Sequence, residues 1–285
     1  MKAMEKAIYD LFIWPKKKLP DYNPEKHGGA ELMSIQSDST PTEKISFIII
    51  KAENPRPGNP IVVVGHGNGE MLLDYATYFL DTFIPNGISY CVIDYRGYGY
   101  SDGKQGTCCV TEPEDVITVI NHLKTIGYQK ISYFGRSLGA TCGIFVAAEF
   151  PDLVCVALDS PWLSSREWIK YQSSYLRNID NETFDQLLPS VYKKIKERTG
   201  LDFYKITEPR NIASKITQPF FLIHGTNDVT VPFSNSPELF ELVQSQEKIF
   251  KSFEGGHPIC LNRFKMFDEM IKFILKHNGV TVDDQ

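Results

Sequence analysis

The sequence predicts an α/β fold: a mostly parallel sheet of eight strands with helices on both faces. Three observations carry that prediction. Apolar runs of strand length alternate with amphipathic runs of helical length, the pattern of strands joined by helical crossovers. Some of the strand-like runs are continuous and β-branched, as in Ile61-Val62-Val63-Val64, which suits strands buried on both faces. The polar motifs fall directly after strand-like runs, and open parallel sheets place their sites outside the carboxyl ends of the strands. With 285 residues, 42% of them hydrophobic, the chain can bury a sizeable core as one domain spanning 1–285.

Taken in order, residues 1–29 form an N-terminal extension. Ala3, Ala7, Ile8, Leu11 and Phe12 recur at helical spacing, and Lys16-Lys17-Lys18 follows. A helix packed on the domain edge is expected, with the lysines solvated. The alternative is weak peripheral contact with a membrane surface, at about 1 kcal/mol per basic residue. Ala30–Ile35 and Lys44–Lys51 read as strands joined by a polar turn. Ile61–Val64 runs into Gly65-His66-Gly67-Asn68-Gly69. Met71–Phe83 reads as a helix. Ile88–Ile93 is the next strand and ends in the Gly-rich loop 94–103. Glu112-Pro113-Glu114-Asp115 opens a helix that Gly127 ends. Lys130–Phe134 is a strand and Ala140–Ala148 a buried helix.

Leu153–Leu158 is again a strand. Residues 160–215 change character: they are rich in aromatic and charged residues, with apolar positions at helical spacing, and read as a helical insertion. Alternation resumes with strand Pro219–Ile223, a helix from Ser236, strand Lys248–Phe253 and a closing amphipathic helix, Leu261–Lys276.

The formal net charge is −5, without the basic balance of a nucleic-acid binder. The six cysteines (91, 108, 109, 142, 155, 260) are scattered and contain no C-x-x-C pair. Reduced, buried cysteines in a cytoplasmic protein are expected, with Cys108-Cys109 the pair most exposed, in a loop. No signal peptide or membrane-spanning stretch is read.

The chemistry centres on Gly135-Arg136-Ser137-Leu138-Gly139. Strand, G-x-S-x-G, helix is the setting of a strained turn that exposes a serine hydroxyl. The turn is too tight for side chains beside the serine. A serine needs a base, and the base an orienting acid. His257 is the candidate base: it follows the last strand and two glycines. His66 and His224 also follow strands, where a role in orienting loops is expected. An acid lying between serine and histidine in the chain leaves Asp228 and Asp159, with Asp228 preferred; Asp94 precedes the serine. Oxyanion donors are expected from the N–H of Leu138 and from the His66–Gly69 loop, at Asn68. Gly65–Gly69 has neither a P-loop's lysine nor dinucleotide-binding spacing. His66, His224 and His257 lack metal-ligand spacing. Neither cofactor nor metal is expected.

These motifs, with Asp94-Tyr95-Arg96-Gly97-Tyr98-Gly99 and His224-Gly225-Thr226-Asn227-Asp228, together resemble the α/β-hydrolase superfamily. Within it the chain is most similar to the branch of serine aminopeptidases, monoglyceride lipases and acyl-protein thioesterases. The resemblance spans Ala30–Lys276. It implies Ser137 as nucleophile, His257 as base, Asp228 as acid, and the insertion as a cap over the pocket. The expected activity is a serine hydrolase that cleaves an ester or thioester in a small-molecule or acylated substrate. Two alternatives stand beside it. One is a peptidase that anchors a substrate amine on Glu167, Asp180, Glu182 or Asp185; the other is a non-catalytic binding protein of the same fold.

Overall fold

A computed structural model describes residues 1–15, 19, 21–257 and 265–281. The strands are β1 (Trp14–Pro15), β2 (Leu32–Gln36), β3 (Lys44–Ile50), β4 (Pro60–Gly65), β5 (Ser89–Asp94), β6 (Gln105–Gly106), β7 (Lys130–Arg136), β8 (Val156–Asp159), β9 (Phe220–Gly225) and β10 (Lys248–Phe253). Eight of them form one sheet in the order β10-β9-β8-β7-β4-β5-β3-β2. From β10 to β5 neighbours run parallel; β3 and β2 complete the edge by antiparallel pairing. The expected mostly parallel, eight-stranded sheet is therefore present. β1 and β6 pair separately as a two-residue ribbon, Trp14 opposite Gly106.

The helices are α1 (Lys2–Phe12), α2 (Leu80–Phe83), α3 (Glu112–Thr125), α4 (Leu138–Glu149), α5 (Ser165–Arg177), α6 (Asn181–Thr199), α7 (Asn235–Leu242) and α8 (Lys265–His277). The two-residue period of the strands splits the core into two layers. Ile61, Val63 and Tyr133 face Ile120 of α3 and Ile144 of α4. Val62, Val64 and Phe134 face Phe79, Phe83 of α2 and Ile274 of α8. Each fully buried side chain of this size contributes about 1.5–3 kcal/mol, so both faces of the sheet are driven shut.

The sequence reading is corrected at two places. Met71–Phe83 is not one helix but a 3-10 turn at Leu72–Asp74, further turns, and the short α2. Two N–H groups at its start are taken by carboxylates: Met71 donates to Asp74 (2.8 Å) and Leu72 to Asp94 (2.7 Å). The chain then bends so that Tyr75, Phe79 and Phe83 are all buried. Cys108 and Cys109 are not exposed. Both have positive φ (56° and 67°), and Ser165 at the start of α5 donates to the Cys108 carbonyl (3.0 Å). Cys109 Sγ lies 3.4 Å from Cys142 Sγ. Burial pushes all three thiols up, away from thiolate chemistry.

The expected N-terminal helix is present as α1, and it packs on α5 and α6 of the insertion. Phe12 is fully buried there, edge-on to Tyr192 (5.3 Å) and Phe203 (5.0 Å). α1, α5 and α6 thus form one helical layer. Lys16-Lys17-Lys18, on which membrane contact would depend, lies outside the described residues, as does Cys260. Among the described residues no helix is long and apolar enough to cross a membrane.

Candidate active site

The elbow is a backbone arrangement first. β7 ends at Arg136 and α4 begins at Leu138, so one residue makes the turn. That residue, Ser137, has φ 53° and ψ −112°, a conformation that costs a non-glycine residue about 1–3 kcal/mol. Surrounding contacts hold it there. Ser137 N–H donates to the Asp159 carbonyl (2.8 Å) and Gly139 N–H to the His66 carbonyl (3.0 Å). A Cβ at Gly135 would lie 2.3 Å from the Gly139 oxygen, and one at Gly139 would lie 2.1 Å from the Gly65 oxygen. The flanking glycines are thus required by close backbone packing between β4, β7 and α4.

The structure brings Ser137, His257 and Asp228 into one line. Ser137 Oγ is 2.9 Å from His257 Nε2, and His257 Nδ1 is 2.6 Å from Asp228 Oδ2. The acid and base loops are joined by backbone: Thr226 N–H donates to Phe253 (2.8 Å) and Asn227 N–H to Gly255 (2.9 Å). Asp228 Oδ1 accepts the N–H groups of Thr230 (2.7 Å) and Val231 (2.8 Å). Burial alone would push this carboxyl up. Hydrogen bonds from His224 and His257, the charge of His257 and the Val231 N–H outweigh it, and the group lies well below the ordinary carboxylate range. An ionised Asp228 requires hydrogen on His257 Nδ1, which leaves the Nε2 lone pair facing the serine hydroxyl.

The other candidates have other work. Asp159 receives Ser160 Oγ (2.8 Å) and supplies its carbonyl to the elbow. Asp94 accepts Leu72 and Tyr100 N–H groups (2.7 Å each). His66 bonds the Gly67 carbonyl (2.8 Å) and packs on Tyr95 and Tyr98, orienting the loop after β4. His224 does more than orient a loop. Fully buried, it places Nε2 3.1 Å from Asp228 Oδ2 and 3.2 Å from the Val231 carbonyl, with Nδ1 2.6 Å from Ser236 Oγ. Two acceptors at Nε2 require a hydrogen there, so His224 donates to the oxygen that His257 uses.

Among the described residues no acceptor meets the N–H of Leu138 or of Asn68. The first is an unpaired N–H of a helix start. The N–H of Gly67 is taken by Glu70 Oε2 (2.7 Å), leaving Asn68 as the next donor of the loop. Glu70 also pairs with Arg136 (2.7 Å) and accepts from Tyr75 (2.9 Å). Arg136 is therefore directed into structure and ties the elbow to the loop carrying Asn68. Sequence reasoning missed Glu70, Trp168 and the His224–Asp228 contact. Trp168 Nε1 donates to the Thr230 carbonyl (2.8 Å), fastening α5 to the acid loop. Trp168 and Thr230 are 62 residues apart, beyond the reach of any spacing rule.

The chain has relatives in bacteria and yeast. An uncharacterized protein of Salmonella typhimurium, YfhR, is 26% identical over 290 residues, covering 95% of this chain and 89% of that protein. An uncharacterized membrane protein of Saccharomyces cerevisiae, YNL320W, is 27% identical over 258 residues, covering 84% and 82%. The solved structure of the Pyrococcus furiosus esterase Pf2001 superposes with a TM-score of 0.70 at 18% identity, covering 92% and 97%; that likeness is one of fold. The model of the family described as serine aminopeptidase, S33, matches residues 57–208, which contain the elbow and most of the insertion. That is more than half of the chain, and the protein belongs to this family of α/β-hydrolases.

Proposed function

We propose that this hydrolase cleaves a carboxylic ester or thioester through an acyl-enzyme. The observation that carries the reading is the line Ser137 Oγ–His257 Nε2–Asp228, at 2.9 and 2.6 Å, on a strained elbow. Ser137 Oγ attacks the acyl carbon as its proton passes to His257 Nε2. The negative oxygen of the tetrahedral intermediate is received by the N–H groups of Leu138 and Asn68. His257 returns the proton to the departing oxygen or sulfur, leaving the acyl group on Ser137. Water then attacks, its proton going to His257 and on to Ser137 as the acid is released. Asp228 stays ionised throughout and holds the imidazolium.

A peptidase that anchors a substrate amine is less well supported. Of the four carboxylates that could serve, Glu167 pairs with Arg210 (2.7 Å) and Asp185 with Lys170 (2.5 Å) and Arg166 (3.2 Å). Asp180 caps α6 through Thr183 N–H (2.9 Å), and Glu182 accepts from Gln186 (3.2 Å). A substrate amine would have to displace an arginine or a lysine from two of them.

The test compares a p-nitrophenyl ester, an aryl thioester and an aminoacyl amide, with fluorophosphonate labelling alongside. Ser137→Ala is expected to abolish labelling and to lower kcat by about six orders of magnitude. Undiminished turnover in Ser137→Ala would overturn the reading. Faster cleavage of the amide than of either ester would replace it with the peptidase.

A further inference from the structure

A cavity of about 390 Å³ opens beside the loop that carries Asn68. Its walls are Trp14, Asn68, Glu70, Met71 and Tyr98, with glycines between them. Trp14 comes from the N-terminal extension, more than fifty residues ahead of every other wall. It is placed by the β1–β6 ribbon, opposite Gly106. A Cβ at Gly106 would meet the Tyr98 hydroxyl at 2.4 Å, so a glycine there lets Tyr98 stand against the ribbon. Trp14 meets Tyr98 edge-on at 6.5 Å and Trp168 at 5.9 Å. Tyr98 donates to Asn68 Oδ1 (3.2 Å), and Trp168 reaches the acid loop through Thr230. Trp14 therefore spans the cleft from the oxyanion side to the acid side.

The position of the cavity decides which part of a substrate it takes. A leaving group must depart beside His257 Nε2, which protonates it. Among the described residues none of the cavity's walls belongs to the acid or base loops; they come from the loop that carries Asn68, the turn 97–99 and Trp14. It thus holds the group that remains on the carbonyl carbon. The chemistry of the walls is apolar: Trp14, Met71 and Tyr98 present carbon. Among the described residues the one carboxylate of the wall, Glu70, is engaged by Arg136, Gly67 N–H and Tyr75, so it does not call for a cationic substrate. A volume near the low end of small-molecule sites suits a medium-length acyl chain and not a long one.

We propose that this cavity is the acyl-binding site and that Trp14, carried in by the N-terminal segment, is the specificity-determining residue that closes its far end. The substrates are then esters or thioesters of medium-length fatty acids. The proposal rests on Ser137 being the nucleophile, and the experiment separates the two. Native protein, Trp14→Ala, Met71→Trp and Ser137→Ala are assayed with p-nitrophenyl butyrate, octanoate and palmitate. Fluorophosphonate labelling counts the competent sites, and a melting curve reports folding.

Native protein is expected to prefer octanoate. Trp14→Ala should raise the palmitate-to-octanoate ratio of kcat/KM about tenfold by opening the far wall, and Met71→Trp should lower the octanoate-to-butyrate ratio about tenfold by filling the cavity. Met71→Trp tests the same space without disturbing the ribbon, so a Trp14→Ala protein that fails to fold does not leave the question open. If both ratios stay within about twofold of native in folded, labelled protein, or if native protein prefers butyrate or palmitate, the proposal is overturned. If Ser137→Ala keeps its activity, the nucleophile assignment fails instead.

Discussion

Ser137 and Trp14 are held in place by opposite means. Around Ser137 the constraint is backbone on backbone. β4, β7 and α4 approach so closely that Gly135 and Gly139 admit no Cβ, and the serine itself sits at positive φ. Around Trp14 the constraint is side chain on side chain. Ring edges on Tyr98 and Trp168, a two-residue ribbon, and the layer in which Phe12 packs on Tyr192 and Phe203 hold the N-terminal segment down. Backbone contacts accept very few residue types. Ring packing accepts many, because volume and apolar character can be conserved by different side chains. The elbow is therefore held in a form that accepts very few residues, and the Trp14 wall in a form that accepts more.

The sharpest way to probe the rigid side is Asp228→Asn. The amide keeps the shape of the carboxylate but no longer fixes the tautomer of His257, so kcat should fall about 10⁴-fold with the fold intact. A parallel effect on stability has a definite sign. Asp228 lies below the ordinary carboxylate range when folded. Its contribution to stability is present above about pH 4 and is lost as pH falls through the folded value. Urea unfolding between pH 6 and pH 2.5 should show native protein losing stability more steeply than Asp228→Asn toward the acid end. Equal acid slopes would mean that His224 and His257 do not favour the charged carboxylate.

Gly139→Ala tests the backbone contact itself. One methyl group would be placed 2.1 Å from the Gly65 oxygen, and neither strand nor helix can move without breaking β4–β7 pairing. A loss of about 4 kcal/mol or more is expected in denaturant unfolding, together with loss of fluorophosphonate labelling. A variant with native stability would show that the β4–α4 approach is softer than its geometry implies, and the contrast with Trp14 would collapse.

What was legible in the sequence follows the same division. Ile61–Val64 could be read as a doubly buried strand because burial on both faces leaves it no polar position. The elbow could be read because steric demand writes glycine at both of its flanks. His257 and Asp228 followed from chain order and strand-end position, which the parallel topology turns into proximity. Asn68 was chosen by its loop, in which Glu70 takes the neighbouring Gly67 N–H. The losses came where tertiary contact overrides local pattern. Met71–Phe83 has helical spacing of apolar residues, yet Asp94, distant in sequence, captures Leu72 N–H. Cys108-Cys109 looked exposed because nothing local announces that α5 lies over that loop. Trp14 could not be connected with Asn68 or Tyr98 at all. Its position depends on α1 packing against α5 and α6, and no local pattern carries that contact.

The smallest effect belongs to the charged surface of the helical layer, and it decides what holds that layer down. Arg210 pairs with Glu167 of α5 (2.7 Å) and with Glu238 of α7 (2.6 Å), tying the insertion to the main domain. All three side chains are partly exposed, so water screens the attraction, and ordering three long side chains offsets part of it. Arg210→Gln should therefore cost no more than about 1 kcal/mol in urea unfolding, and less in high salt. Turnover of a short ester should be unchanged, since neither the elbow nor Trp14 touches the network. A loss well above 2 kcal/mol, or a shift in chain-length preference, would mean that the ion pairs seat the layer alongside Phe12, Trp14 and Trp168. A small, salt-sensitive loss leaves ring packing as what seats the N-terminal segment, and with it the Trp14 wall of the cavity beside Asn68.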